Sequence, residues 1–160
     1  MSEKTLTEEF HSDHTKVVEA LMELKGGIET RDPARVRATL GEANKLVGPH
    51  FKFEEHHLYP RLTEFLGEAR VQKLLTEHDG VFRGVTALVA LAQKDAWTEA
   101  DARSAAANLD LIWEHPITCD GLSLYIERLP PKVQASLLEQ MEEKRRQGTT
   151  LLEYRQERMQ

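Results

Sequence analysis

The chain has 160 residues, of which 40% are hydrophobic and 30% charged, and these values fit one folded domain with a buried core. The formal net charge of −6 argues against a nucleic-acid partner, because such partners favour a basic protein face. A single cysteine, Cys119, excludes an internal disulfide and fits a cytoplasmic location.

Four long amphipathic helices are predicted from the hydrophobic periodicity. Each is bounded by a capping residue, a glycine or a proline. Their predicted bounds in chain order are Thr5 to Gly26-Gly27, Asp32-Pro33 to Gly67, 68 to 94, and Thr98 to Pro130-Pro131. Short loops between long helices favour an all-α fold, an antiparallel up-down-up-down four-helix bundle.

A shorter fifth helix is predicted at about 132–147, followed by a polar tail. We therefore expect residues 1–130 to form the bundle. Residues 131–160 are expected to pack on it as an extra C-terminal helix and tail, or to form a homodimer or partner-protein contact. No run approaches the about 18 apolar residues of a membrane span, and residues 1–10 lack an apolar signal core, so no membrane association is expected.

Polar residues interrupt the apolar stripe of each predicted helix. They are one histidine per helix and one glutamate, namely His14, His50, His78, His115 and Glu54. An unpartnered polar group in an apolar interior costs roughly 1–3 kcal/mol, so several such groups need a common partner. A metal cation meets this need, since imidazole and carboxylate are natural metal ligands.

The spacing of these residues favours convergence at one level of the bundle. His50 and Glu54 are four residues apart and lie on one helix face. The four histidines are each about 14 to 18 residues from a helix-connecting loop, which is a difference of only a few ångströms at ~1.5 Å per residue. The sequence therefore predicts a metal site. His11 and His57 are expected beside the ligands or on the surface, and His56 in solvent.

The two predicted hairpins resemble each other. The segment "EEHHLY" at 54–59 aligns with "DGLSLY" at 120–125 and pairs Glu54 with Asp120, but the second half has one extra residue between histidine and acid. A helix bulge near Pro116 would bring Asp120 to the metal, which is the reading we favour. In a regular helix, Cys119 would face the site instead, as a thiolate ligand, a redox neighbour or a small buried side chain.

The motif "HFKFEEHHLYP" resembles the second-helix motif of the hemerythrin-like family, four-helix bundles with a non-haem di-iron centre. His14 in "SDH", His78 in "TEHDGVF" and "HPITCD" resemble the motifs of the other helices, so the resemblance spans about residues 5–129. It implies iron as the cofactor, with two ions and two bridging carboxylates. The implied ligands are His14, His50, Glu54, His78, His115 and Asp120, with Cys119 as the alternative to Asp120.

One feature departs from the oxygen carriers of that family, which place two histidines four residues apart on the third helix. Here the residues four positions from His78 are Leu74 and Phe82. The resemblance therefore implies binding or sensing of O2, NO or peroxide, or iron handling, more than stable oxygen carriage.

Two other functions remain open from the sequence. A di-iron carboxylate oxidase or peroxidase-type enzyme would use Glu-x-x-His motifs, to which Glu54-x-x-His57 and Glu8-x-x-His11 conform. A structural bundle would hold Zn²⁺ or no metal.

Overall fold

The protein, described here by a computed structural model, is helical throughout its regular elements, and residues 3–160 are described. No strand occurs among these residues, which confirms the predicted all-α class. The elements are α1 (Leu6–Glu29), α2 (Pro33–Phe53), a π-helical turn (Glu54–Leu58), α3 (Tyr59–Leu66), α4 (Glu68–Ala92), α5 (Glu99–Trp113), α6 (His115–Asp120), α7 (Ser123–Ile126), α8 (Pro131–Gln147) and α9 (Leu151–Arg158).

Helix α1 begins where the capping pattern predicts but ends later than its glycines suggest. Thr5 accepts from the Glu8 N–H, and the Glu8 carboxylate accepts from the Thr5 N–H, which forms a capping box. Gly26 and Gly27 stay helical. A Cβ on Gly27 would lie 2.9 Å from Val36 Cγ2, so this glycine permits close packing against α2 rather than ending α1.

The bundle is built from α1, the combined α2–π-turn–α3 helix, α4, and the segment from α5 to α7. Helix α1 packs against α2 and α5, and α4 packs against the same two helices. The fourth segment breaks at Glu114, between α5 and α6. The combined second helix runs through Pro49 and then changes to π-helical hydrogen bonding, in which the Tyr59 N–H donates to the Glu54 carbonyl.

Two apolar clusters form the core, and the histidines lie where they meet. Phe51 belongs to one cluster and stacks on His78 with ring centroids 3.6 Å apart. Phe10 belongs to the other and contacts His14 edge-on at 4.5 Å. Polar side chains are thus enclosed on both sides by apolar ones, which strengthens electrostatic interactions between them.

The C-terminal helices α8 and α9 pack on the bundle through buried apolar residues. Leu137 and Met141 of α8 are each 1% exposed, as is Leu151 of α9. The segment predicted as a polar tail is therefore helical from Leu151, where Thr150 and Glu153 form a capping box. Among residues 3–160, no helix has the length and apolar character needed to cross a bilayer.

Candidate metal centre

Four buried histidines converge from four segments of the bundle. His14 lies on α1, His50 on α2, His78 on α4 and His115 on the first turn of α6. They are between 0% and 7% exposed. The Nε2 atoms of His14 and His50 lie 3.1 Å apart.

Glu54 lies between the histidines and is completely buried. Its Oε1 atom is 3.1 Å from His50 Nε2 and 3.5 Å from His78 Nε2. Its Oε2 atom accepts hydrogen bonds from the Cys119 thiol and, at 3.2 Å, from the Tyr59 hydroxyl. The Tyr59 oxygen is also 3.1 Å from His78 Nε2. Sequence reasoning missed Tyr59, which is 1% exposed and lies two residues after His57.

Two overlapping groups of side chains have the compactness of metal sites, with ligand atoms within 4.8 Å of one another. We call them the first and second positions. The first position consists of His14, His50, Glu54 and Cys119. The second position consists of Glu54, His78 and His115. Glu54 belongs to both, so one carboxylate is shared by the two positions.

Asp120 lies outside both positions, contrary to the favoured alignment. Its side chain is 31% exposed and accepts hydrogen bonds from Nδ1 of His14 and Nδ1 of His11, each at 3.0 Å. No π-bulge separates His115 from Asp120, because α6 is a regular α-helix. Residue i+4, which is Cys119, therefore lies on the face of His115, and Asp120 is turned away. The bulge occurs instead in the second helix, after Glu54.

Each of the four histidines donates its Nδ1 hydrogen to a carboxylate on a neighbouring helix segment. The pairs, with their N–O distances, are His50 with Asp13 (2.9 Å), His78 with Glu55 (2.9 Å), His115 with Glu77 (3.0 Å) and His14 with Asp120 (3.0 Å). Each helix segment supplies one histidine and one acid, so the pairs close into a ring around the bundle. Such carboxylate partners fix the imidazole orientation and leave Nε2 free to bind a metal.

This ring reveals a repeat that the favoured alignment missed. An acid directly precedes His14 and His78, and an acid follows His50 and His115 after four intervening residues, at Glu55 and Asp120. Asp120 therefore corresponds to Glu55 and not to Glu54. Glu54 corresponds to Cys119, and the second half has no extra residue between the histidine and the acid. The spacing was visible in the sequence as two copies of an acid–histidine pair followed by H-x4-acid.

Two buried polar atoms in the centre lack a hydrogen-bond partner among the described residues, namely Glu54 Oε1 and His115 Nε2. Glu54 Oε1 is near two histidine nitrogens but without hydrogen-bonding angles. An unsatisfied buried group is costly, and both atoms belong to side-chain types that bind metals. The donor set of imidazole, carboxylate and thiol therefore fits a bound metal cation.

Electrostatics in the metal-free centre distribute protons unevenly between neighbours. Burial and then the charge of His50 lower the pKa of His14 to about 4. Burial opposes a charged His50, but Glu54 and Asp13 outweigh it and raise the pKa of His50 to about 10. Burial and the adjacent Glu54 hold the pKa of Cys119 well above its usual value, so the thiol is protonated. Protons thus supply the positive charge that the buried carboxylates require.

The remaining histidines lie away from the centre. His56 is exposed, and His57 is half-buried beside Phe53 with ring centroids 6.4 Å apart. Glu8 is committed to the α1 capping box, and His11 is exposed at the rim, where it contacts Asp120. The two Glu-x-x-His motifs therefore do not assemble into a paired site.

Comparison with protein families matches residues 5–115 to the hemerythrin HHE cation-binding domain. The chain belongs to the hemerythrin HHE family. Members bind metal cations, typically iron, and the buried histidine, glutamate and cysteine cluster of this chain fits a metal-binding protein. The matched region ends at His115, so Cys119, Asp120, α8 and α9 of this HHE protein lie beyond it. Searches of curated proteins and of solved structures returned no significant match.

Proposed function

We propose that this HHE protein holds two iron ions in adjacent positions bridged by Glu54 and binds O2 or NO there. His14, His50 and Cys119 complete the first position, and His78 and His115 complete the second. The observation that carries the proposal is the sharing of one fully buried carboxylate by two ligand groups, with Glu54 Oε1 and His115 Nε2 unsatisfied.

The choice of iron rests on the second position. Two histidines and one carboxylate form the ligand set typical of non-haem Fe(II) sites with open coordination positions. Ferrous iron held there would supply a coordination position for a small ligand. The thiol of Cys119 makes the first position softer, and imidazole–thiolate sets also suit zinc. Zinc in the first position is accordingly the competing outcome of the metal measurement.

The choice of an uncharged diatomic ligand rests on a cavity beside the centre. It has a volume of about 50 Å³ and is lined almost wholly by apolar atoms. Its lining includes His14, His50 and His115 together with apolar residues such as Leu24 and Leu40. An apolar cavity of this kind stays dry and accepts small apolar molecules. O2 and NO fit these conditions better than hydrogen peroxide, which would lose hydrogen bonds to water.

A second candidate function is a di-iron oxidase or peroxidase-type enzyme, and one observation favours it. The Tyr59 hydroxyl and the Cys119 thiol are 3.9 Å apart and both contact Glu54. Burial and Cys119 raise the pKa of Tyr59 well above its usual value, so both groups hold a proton beside the metal positions. A buried proton donor at this place suits reduction of a bound oxidant. Repeated consumption of peroxide in the presence of an added chemical reductant that returns the iron to the ferrous state, lost in Tyr59→Phe, would favour the enzyme.

Metal content per chain, measured on protein purified without air, tests the proposal directly. We expect two irons per chain and a new visible spectrum when O2 or NO is admitted. The Glu54→Gln variant should lose both irons, whereas Glu64→Gln, an exposed change on α3, should keep them. One zinc per chain, or two irons whose spectrum is unchanged by both gases, would contradict the proposal.

A further inference from the structure

Helix α8 contacts the carboxylate that holds His50. The Arg145 guanidinium donates through Nη2 to Asp13 Oδ1 at 3.1 Å and through Nη1 to Glu9 Oε2 at 2.6 Å. The other Asp13 oxygen, Oδ2, accepts from His50 Nδ1 at 2.9 Å. Asp13 is therefore held from both sides, by α8 on one oxygen and by a candidate metal ligand on the other.

Helix α9 makes the equivalent contact to the carboxylate that holds His78. The Tyr154 hydroxyl donates to Glu55 Oε2, and Arg158 Nε lies 3.2 Å from the same oxygen. Glu55 Oε1 accepts from His78 Nδ1 at 2.9 Å. The two C-terminal helices thus reach different metal positions, since His50 belongs to the first and His78 to the second.

The other two acids of the ring lack such support among the described hydrogen bonds and ion pairs. Asp120 is contacted by His11 and His14, and Glu77 by His115. Asp120 and Glu77 are also more exposed, at 31% and 26% of the side chain, than Asp13 and Glu55, at 5% and 7%. The segment covering residues 131–160, which we call the strap, therefore buries and orients one acid at each metal position.

The strap is seated on α2 by a contact between backbones. A Cβ on Gly48 would lie 2.2 Å from the Thr149 carbonyl oxygen and 2.5 Å from the Leu151 nitrogen. Backbone atoms cannot rotate away as a side chain can, so only glycine allows this approach. Asn44 Oδ1 accepts from the Leu152 N–H at 3.0 Å on the same side. Gly48 lies only two residues before His50, so the strap is seated next to the centre.

We propose that Arg145 and Tyr154 are positioning residues that set the metal affinity of the two positions separately, Arg145 for the first and Tyr154 for the second. The inference rests on the proposed metal binding. A carboxylate with one oxygen held by the strap keeps its other oxygen aimed at the histidine, and so keeps Nε2 aimed at the metal. Loss of the carboxylate itself would weaken binding about 10- to 100-fold, and loss of its strap contact should cost less.

Titration of the full-length metal-free protein with Co²⁺ tests this division. Cobalt bound to a thiolate gives an intense near-ultraviolet band, so Cys119 makes the first position spectroscopically distinct, while the visible bands report both positions. In Arg145→Ala we expect the cobalt affinity of the first position, followed by the thiolate band, to fall by a factor of about 3 to 10. The affinity of the second position should not change, and Arg145→Lys should recover part of the lost affinity. In Tyr154→Phe we expect the reverse: the affinity followed by the thiolate band should not change, and the cobalt affinity of the second position should fall.

Matched controls separate positioning from general loss of stability. Arg146→Ala removes an exposed arginine that contacts only Glu143 on its own helix among the described residues, and Tyr125→Phe removes an exposed hydroxyl. Both should titrate as wild type. Gly48→Ala should lower the metal affinity of both positions, because its Cβ would displace the strap from α2. Circular dichroism should show unchanged helical content.

The possible results distinguish the two proposals. If the wild-type protein binds two cobalt ions and either variant weakens both positions equally, or neither, the positioning inference is overturned and the metal proposal stands. If the wild-type protein binds no cobalt and no iron, the proposed function fails and the inference fails with it.

Discussion

The Nε2 atoms of His14 and His50 face each other at 3.1 Å inside the bundle. Both rings donate their Nδ1 hydrogens to carboxylates, so two lone pairs would meet if neither Nε2 carried a proton. The contrasting pKa values, about 4 for His14 and about 10 for His50, indicate that one proton lies between them in the metal-free protein. A metal ion bound by both nitrogens would replace that proton.

Replacing Cys119 and Asp120 separately distinguishes a ligand from its support. In Cys119→Ser we expect loss of the thiolate band of bound Co²⁺, because the sulfur of the first position is gone. In Asp120→Asn the band should remain, with affinity lowered by about 10- to 100-fold, because only the hydrogen-bond partner of His14 changes. Absorption spectra of the two cobalt-loaded variants check this. Absence of the thiolate band from the cobalt-loaded wild-type protein, with loss of bound cobalt in Asp120→Asn but not in Cys119→Ser, would show that the aspartate, not the cysteine, faces the metal.

Metal affinity should rise with pH across the neutral range. The pKa values of His50 and His78 are raised by Glu54 and by the acids Asp13 and Glu55 against the effect of burial, so both imidazoles hold protons that a metal must displace. Binding therefore releases protons and weakens as the pH falls. Calorimetric titrations with Zn²⁺ in two buffers of different ionisation enthalpy would give the number of protons released on binding. Release of no protons would contradict the expectation.

The stability of the metal-free protein should change with pH in the opposite direction. A histidine whose folded pKa is raised stabilises the fold below the unfolded pKa, near 6.5, and this contribution is lost as the pH rises through the folded value, about 10 for His50. We expect the free energy of unfolding to decrease between these limits. Urea denaturation at several pH values measures it. In His50→Gln the decrease should be smaller, and an unchanged slope would contradict the assignment.

Two glycines provide a matched pair for helix packing. A Cβ on Gly84 of α4 would lie 2.7 Å from the Asn108 carbonyl oxygen of α5, so Gly84→Ala should destabilise the protein by about 1–3 kcal/mol. Gly41 of α2 has no atom within 4 Å of such a Cβ, so Gly41→Ala should stabilise by about 0.5–1 kcal/mol. Urea denaturation of both variants checks the signs. Equal effects would mean that α4 and α5 are not packed as closely as described.

The helices and four buried histidines could be predicted because they depend on local, periodic features. Thr5 and Thr98 cap their helices as expected, and one histidine on each apolar stripe identified the inward positions. The helix end predicted at Gly26 and Gly27 was wrong, because sequence alone does not distinguish a glycine that permits close helix packing from one that ends a helix.

The finer features of the centre depend on a local change in helical hydrogen bonding and on contacts between residues far apart in the sequence. The π-helical turn after Glu54 changes hydrogen bonding by one residue without a distinctive side chain, so the sequence placed the bulge near Pro116 instead. Arg145 and Tyr154 lie in polar segments about 100 residues or more from the acids they contact, and no local pattern links them.

The ring of histidine–carboxylate pairs has a consequence for the order of events as the chain matures. Two of its four hydrogen-bonded pairs connect the first two bundle segments with the last two. They are His14 with Asp120, 106 residues apart, and His78 with Glu55, 23 residues apart. The first position also needs Cys119, which is 65 residues from Glu54. An isolated first hairpin therefore presents only part of a ligand set. The bundle has to close before either position is complete, so a metal bound by a complete ligand set would stabilise the closed bundle relative to an open one.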